Sequence, residues 1–419
     1  MTRLARATCT VLLAGGAVLA PSATPVVAAA TSCTDRTSTV LLPDLAYPLA
    51  LYSARAALWS AGHDGAGVTV AVVDSGVEVA NPHFATAPGA APAVLPGRSF
   101  VPAGPVTAEL INPLGQGDPA GHGTPVAGLV AAREVAGSGV VGLAPKASIL
   151  PVQVYLAAPS QDARLAPAFP NAAQLAAGIR YAAESGARII VVALSQDAPD
   201  PALADAVRAA HDAGALVVAS AGDRLVATDK SDGPRYPAAY PGVLSVTAVT
   251  AGGQASDASI HGAHVGVAAP GERIPAAYGR WGDCVLGDAP ATSYATPLVA
   301  AAAALLAQAY PQEGPDLWRY RIEASALRAR SDRRDDVLGW GLLSPYDALT
   351  LTLDPSRPGP PMPGHAAVVS AVEPVVGARI DERDDPLATP RALGMAFLLA
   401  ALGGGLALRL VRLLRREHE

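Results

Sequence analysis

The sequence predicts an α/β fold, a mainly parallel central sheet with helices on both faces. Three observations carry this. Five short runs, Val68 to Val73, Ser148 to Val154, Arg188 to Leu194, Leu216 to Ser220 and Val243 to Val249, are almost continuously apolar, as strands covered on both faces must be. Two helical stretches lie among them: Ala172 to Glu184, and Pro201 to Ala213 with Asp200 as N-cap and Gly214 past its end. Strand and helix therefore alternate, which is the pattern of crossover connections between parallel strands. In such sheets chemistry gathers at the carboxyl ends of the strands.

Composition narrows the function. The chain has 419 residues, 30 Lys+Arg against 36 Asp+Glu and a net charge of −6, so it offers no basic surface for phosphates and nucleic acid is not an expected partner. With 51% hydrophobic and 16% charged residues it is too apolar for a disordered chain. A mean hydropathy of +0.30 is high for a soluble protein, and the two ends account for part of it.

Residues 1–30 carry Arg3 and Arg6, then the apolar run Val11 to Ala20, then the small residues Val27-Ala28-Ala29-Ala30, the order of a cleaved export signal. Residues 31–50 are read as an N-terminal extension and residues 51–352 as the main body. At the other end Ala392 to Leu408 is apolar and uncharged. As a helix it covers about 26 Å, a little short of the ~30 Å hydrocarbon core. Arg391 and Arg409 can snorkel to lengthen the span, and Arg412, Arg415 and Arg416 in the tail 409–419 predict a cytoplasmic C-terminus with the body outside. Between body and span, residues 353–391 hold Pro355, Pro358, Pro360, Pro361, Pro363, Pro374, Pro386 and Pro390, the composition of an extended spacer. Of three cysteines, Cys9 leaves with the signal. Cys33 and Cys284 remain in a compartment that permits disulfides, and they are expected to pair, the alternative being two buried thiols.

Three motifs fall where the sheet rule puts chemistry. Val70-Ala71-Val72-Val73-Asp74-Ser75-Gly76 ends an apolar strand on a carboxylate. Gly121-His122-Gly123-Thr124-Pro125-Val126-Ala127-Gly128 sets a histidine between glycines at the start of a small-residue helix. Ala291-Thr292-Ser293-Tyr294-Ala295-Thr296-Pro297 precedes the apolar helix Leu298 to Tyr310. Alone, Asp74 is a strand-end residue, His122 a surface histidine and Ser293 an N-cap. Together, in the order Asp, His, Ser, they form one known solution to triad geometry. Ser293 is then the nucleophile at a helix N-terminus, His122 its general base, and Asp74 the group that orients the imidazole. No acidic cluster has calcium-loop spacing, so no metal or other cofactor is expected.

These motifs resemble those of the subtilisin-like serine proteases over roughly residues 50–350, and the resemblance implies that three-layer fold. Gly142-Leu143-Ala144-Pro145, Tyr236-Pro237-Ala238-Ala239-Tyr240-Pro241 and Ala268-Ala269-Pro270-Gly271 match in order. Signal, extension, body, proline-rich spacer, one terminal helix and basic tail resemble the mycosins, and Gly339-Trp340-Gly341-Leu342-Leu343-Ser344-Pro345 looks like their closing motif. That implies a protease held at the cytoplasmic membrane by residues 392–408, associated with the type VII secretion membrane complex of actinobacteria, and acting on protein or peptide substrates. Three positions depart from the family. Where it places an oxyanion-donating Asn, Val217-Val218-Ala219-Ser220-Ala221-Gly222 leads to Asp223, and Asn81, Asn112 and Asn171 lie in no matching context. An ionised Asp223 cannot donate, whereas a protonated one can. The substrate-binding strand reads Ala193-Leu194-Ser195 where Ser-Leu-Gly is usual, and Ala291 replaces a glycine. The reading is a selective endopeptidase that performs limited proteolysis of exported proteins. The alternative is a weakly active or inactive scaffold that stabilises the secretion complex.

Overall fold

In the computed structural model, residues 33, 40–43, 49–85, 92–104, 107–157 and 168–366 are described. All of them belong to one compact unit. The expected export signal 1–30, most of the spacer, the apolar span 392–408 and the tail 409–419 lie outside the described residues. Among the described residues no helix is long and apolar enough to cross a membrane.

Seven strands build the central sheet: β1 (Thr69–Asp74), β2 (Arg98–Ser99), β3 (Ser148–Gln153), β4 (Ile189–Val192), β5 (Leu216–Ser220), β6 (Leu244–Val249) and β7 (Val267–Pro270). They lie in the order β2-β3-β1-β4-β5-β6-β7, and every registered pair is parallel. The strands are buried along their length because alternate side chains enter two separate cores. In β1, Val70 and Val72 join one cluster, and Ala71 and Val73 the other. The first core is closed by α2 (Gly123–Ala131) and α5 (Thr292–Ala309), and the second by α3 (Ala172–Glu184) and α4 (Pro201–Asp212). Asp200 caps α4 as the sequence places it, its Oδ1 accepting the Leu203 amide at 2.9 Å, and Asn171 caps α3 in the same way, its Oδ1 accepting the Gln174 amide at 3.0 Å.

The chain leaves β1 for β3 on one side and returns to β4 on the other, so Asp74 sits at the carboxyl end of the strand where the order reverses. The remaining helices are α1 (Leu49–Ser60), α6 (Pro315–Ser325) and α7 (Pro345–Thr350).

Four features differ from the sequence reading. The segment between Asp74 and His122, in which the sequence marks no strand, contributes the edge strand β2, with the Leu95 amide bonded to Ile149 O at 2.8 Å. The serine helix begins at Thr292 and not at Leu298, with Pro297 inside it. An antiparallel hairpin, β8 (Ile274–Tyr278) and β9 (Gly282–Leu286), lies outside the main sheet against α2. The start of the spacer is packed: Leu353 and Met362 contact Tyr320 and Leu351 beside α6.

The N-terminal extension lies along β9. Val40 pairs with Gly282, the Val40 amide donates to Trp281 O at 2.7 Å, and Val40 O accepts the Asp283 amide at 2.8 Å. The Leu42 amide donates to Asp283 Oδ2 at 2.8 Å, and a disulfide joins Cys33 to Cys284.

Candidate active site

The site is built on a close backbone approach between the end of β1 and the start of α2. A side chain on Gly123 would place its Cβ 2.1 Å from Gly76 O, and Gly76 itself has φ +100° with Gly117 O 2.0 Å from where its Cβ would be. Glycine is needed at both positions, and this brings the N-cap of α2, His122, onto the carboxylate that ends β1.

Asp74 has no exposed surface, and each of its partners donates to it. His122 Nδ1 lies 2.9 Å from Oδ1 and 3.0 Å from Oδ2. Oδ1 also accepts the Ser75 amide at 2.7 Å and the Tyr155 hydroxyl at 3.1 Å. With Nδ1 engaged, Nε2 is the free nitrogen of the ring. Burial pulls the His122 pKa down, but the charge and hydrogen bond of Asp74, with the charges of Asp118 and Asp223, outweigh it and the net shift is upward. The ring of Tyr294 lies 5.8 Å from that of His122, and burial beside Asp74 pushes the Tyr294 hydroxyl up to about 12.

A second carboxylate supports the first, and the sequence reading missed it. Asp118 Oδ1 accepts the Ser75 hydroxyl at 2.6 Å, the Gly121 amide at 2.9 Å and the His122 amide at 3.3 Å, while Oδ2 accepts the Thr124 amide at 2.8 Å. It ties the loop before α2 to the residue after Asp74. Burial raises its pKa against the hydrogen bonds of Ser75 and Thr124, and the Asp74 charge adds to the rise. The available signal was its place four residues before His122.

Ser293 is the second residue of α5, half-buried, in a turn whose residue Pro297 has no N–H to offer the Ser293 carbonyl. Ala291 is accommodated without strain, at φ −125°. Asp223 follows β5 and takes the cap that Ala291 lacks: Oδ1 accepts the Thr292 amide at 2.8 Å and Oδ2 the Thr292 hydroxyl at 2.9 Å. Burial raises the Asp223 pKa, while the Thr292 and Ser293 amides and the His122 charge oppose the rise. Asp74, His122, Asp223 and the α5 N-terminus are thus brought to one place. Of the proposed substrate strand, Ala193 is buried and Leu194 and Ser195 are half-buried just past β4. Ser195 Oγ is 3.4 Å from where a Cβ on Gly222 would lie, next to Asp223. Among the described residues no group of three or more His, Cys, Asp or Glu could hold a metal ion.

Comparison with known proteins identifies the family of this fold. The Subtilase family model matches residues 65–341. Mycosin-3 of Mycobacterium tuberculosis is 31% identical, with 85% of this chain and 81% of that protein covered. Thermitase of Thermoactinomyces vulgaris is 34% identical over 58% of this chain and 76% of its own. Among solved structures, MycP1 with its N-terminal propeptide removed superposes with a TM-score of 0.60 at 28% identity, covering 74% of this chain and all of that one, 100%. The MycP3 protease from the type VII (ESX-3) secretion system does so with a TM-score of 0.61 at 29% identity, covering 75% of this chain and 92% of that one. The chain belongs to the subtilase family and, within it, to the mycosins.

Proposed function

We propose that this protein is a membrane-anchored, extracytoplasmic serine endopeptidase that performs limited proteolysis of exported proteins in association with a type VII secretion system. The observation that carries the reading is the hold of Asp74 on His122 Nδ1, which leaves Nε2 as the base, in the site where Ser293 lies in the first turn of α5. Ser293 Oγ attacks the scissile carbonyl as its proton passes to Nε2, and the same proton is then given to the leaving amine. Asp74 orients the imidazole and stabilises its charged form. Asp223 stands at the oxyanion position beside the Ser293 amide, and substrate backbone pairs along Ala193-Leu194-Ser195. Residues 1–30 direct export, 392–408 anchor the chain in the cytoplasmic membrane, and 409–419 remain in the cytoplasm. The relatives from the ESX-1 and ESX-3 systems support the association with secretion.

One observation favours a second reading. The Asp223 carboxylate accepts the amide that opens α5, where an active hole presents donors, as in a scaffold with weak or absent proteolysis. A serine-directed fluorophosphonate applied to the full chain in detergent separates the two. The protease reading expects a label that Ser293→Ala abolishes; equal absence in both proteins refutes it.

A further inference from the structure

We propose that Asp223 is a catalytic acid: its Oδ2 carries a proton in the reactive state and donates it in a hydrogen bond to the substrate oxygen that becomes negative when Ser293 attacks. This rests on the protease reading and supplies the donor that the reading lacks.

The two oxygens of Asp223 are not equivalent. Oδ1 faces the Thr292 amide at 2.8 Å, a group that can only donate, so Oδ1 is fixed as an acceptor. Oδ2 faces the Thr292 hydroxyl at 2.9 Å, which can donate or accept. Behind it stands Ser220 Oγ, 2.5 Å from Thr292 Oγ1 and itself accepting the Gly222 amide at 3.2 Å. Ser220 can therefore donate to Thr292, which donates to Oδ2 whether Oδ2 is ionised or protonated, so a protonated Oδ2 keeps its own O–H for another acceptor. The proton of a neutral Asp223 belongs on Oδ2.

The ionised form cannot support the reaction. It has no donor, its charge opposes the developing oxyanion, and it draws on the Ser293 amide that the oxyanion requires. Other groups around it do not supply the missing proton. Tyr294 on α5 keeps its phenolic proton but has its ring placed 5.8 Å from that of His122, and His264 bonds Ala221 O through Nε2 at 3.0 Å and is pulled down by burial. Arg235 packs its stem at Gly222 while its guanidinium pairs with Asp197, and Arg224 is paired with Asp232. His122 on α2 remains, and it is already the base.

In the step itself the Ser293 Oγ–C bond forms, the hydroxyl proton moves to His122 Nε2, and the carbonyl electron pair moves onto the oxygen held by Oδ2–H and the Ser293 amide. On collapse that pair returns, the C–N bond breaks, and the His122 proton goes to the amine. Asp223 ends the cycle with its proton. The reactive enzyme therefore combines a protonated carboxyl with a neutral imidazole, the reverse of the arrangement two such neighbours ordinarily adopt. The rate is therefore bell-shaped in pH, limited on one side by protonation of His122 and on the other by ionisation of Asp223.

The test measures fluorophosphonate acylation of the full chain from about pH 5 to pH 9 for the wild type, Asp223→Asn and Ser293→Ala. The wild type is expected to rise and then fall on the alkaline side by about tenfold per pH unit. Asp223→Asn, with a permanent amide donor, is expected to rise through the His122 titration and stay flat, exceeding the wild type at alkaline pH by about 10²- to 10³-fold. A second readout is calorimetry of a peptide aldehyde binding at alkaline pH in buffers of different ionisation enthalpy, where the wild type should take up one more proton than Asp223→Asn. A wild-type alkaline plateau, an Asp223→Asn variant no faster, or equal proton uptake overturns this proposal and leaves the protease reading standing. Labelling that never exceeds Ser293→Ala in either protein overturns both.

Discussion

Replacing Glu323 by glutamine should make this protein more stable at neutral and alkaline pH and leave it unchanged in acid. Glu323 lies on α6 with 8% of its surface exposed. It lines a cavity of about 340 Å³ together with His264, Arg319, Arg334 and Trp340. Burial pushes its carboxyl up to about 7 from an ordinary 4.5, with Arg319, Arg334 and Arg328 pulling the other way. The folded chain thus keeps this proton to about pH 7, while the unfolded chain releases it near 4.5. The folded state binds more protons between those values, so stability falls as pH rises through that window. At about 1.4 kcal/mol per pH unit the loss is about 3 kcal/mol, complete above the folded pKa. Glutamine fills the same space without a charge to bury. Urea unfolding of both proteins, followed by tryptophan fluorescence, reads the difference directly, because every other titrating group is common to the two. The expected difference is near zero below the unfolded pKa and grows to about 3 kcal/mol in favour of Glu323→Gln at alkaline pH. A difference that is flat across this range would refute the reasoning.

Other perturbations test the site and its supports. Asp118→Asn turns an amide N–H2 toward a ring of donors and should cost about 1.5–3 kcal/mol in urea unfolding. It also removes a charge that raises the His122 pKa, so the acid limb of fluorophosphonate labelling should move to lower pH. Gly123→Ala forces a methyl to 2.1 Å from Gly76 O and should separate His122 from Asp74, lowering stability by about 3 kcal/mol and reducing labelling with it. Cys284→Ser opens a loop spanning 251 residues and should cost about 2–5 kcal/mol, measured against the wild type with and without reductant. Equal stability of reduced and oxidised wild type would contradict that expectation.

How much of this is visible in the sequence depends on the kind of signal each part carries. β1 and β3 to β6 announce themselves because strands covered on both faces must be apolar throughout, and α3 and α4 as the helical stretches between them, the second bracketed by Asp200 and Gly214. β7 is only Val-Ala-Ala-Pro, and β8 holds Pro275 with no tight-turn glycine pair before β9, so neither stands out from loop. Pro297 looks like a helix start, which moves the apparent beginning of α5 past Ser293, yet it is held inside the helix by burial on all sides. The chemistry follows the same division. Asp74, His122 and Ser293 sit in glycine or small-residue contexts that mark them. Asp118 acts through distances from Ser75, Gly121 and Thr124 that no local pattern encodes. Asp223 was legible as a departure, but the different roles of its two oxygens exist only once β5 and α5 are side by side.

The extension that runs along β9 is joined to the body twice, by the disulfide between Cys33 and Cys284 and by the backbone and side-chain bonds of Val40 and Leu42. Cutting the chain anywhere between residues 43 and 49 would therefore yield two polypeptides that remain one particle. On an electrophoresis gel the short fragment would separate only after reduction, so a nicked preparation would pass for intact material under oxidising conditions. Release of the strap would need a cut on the carboxyl side of Cys33 together with a reductant, whereas removal of residues 1–30, a cut on its amino side, would leave the strap in place.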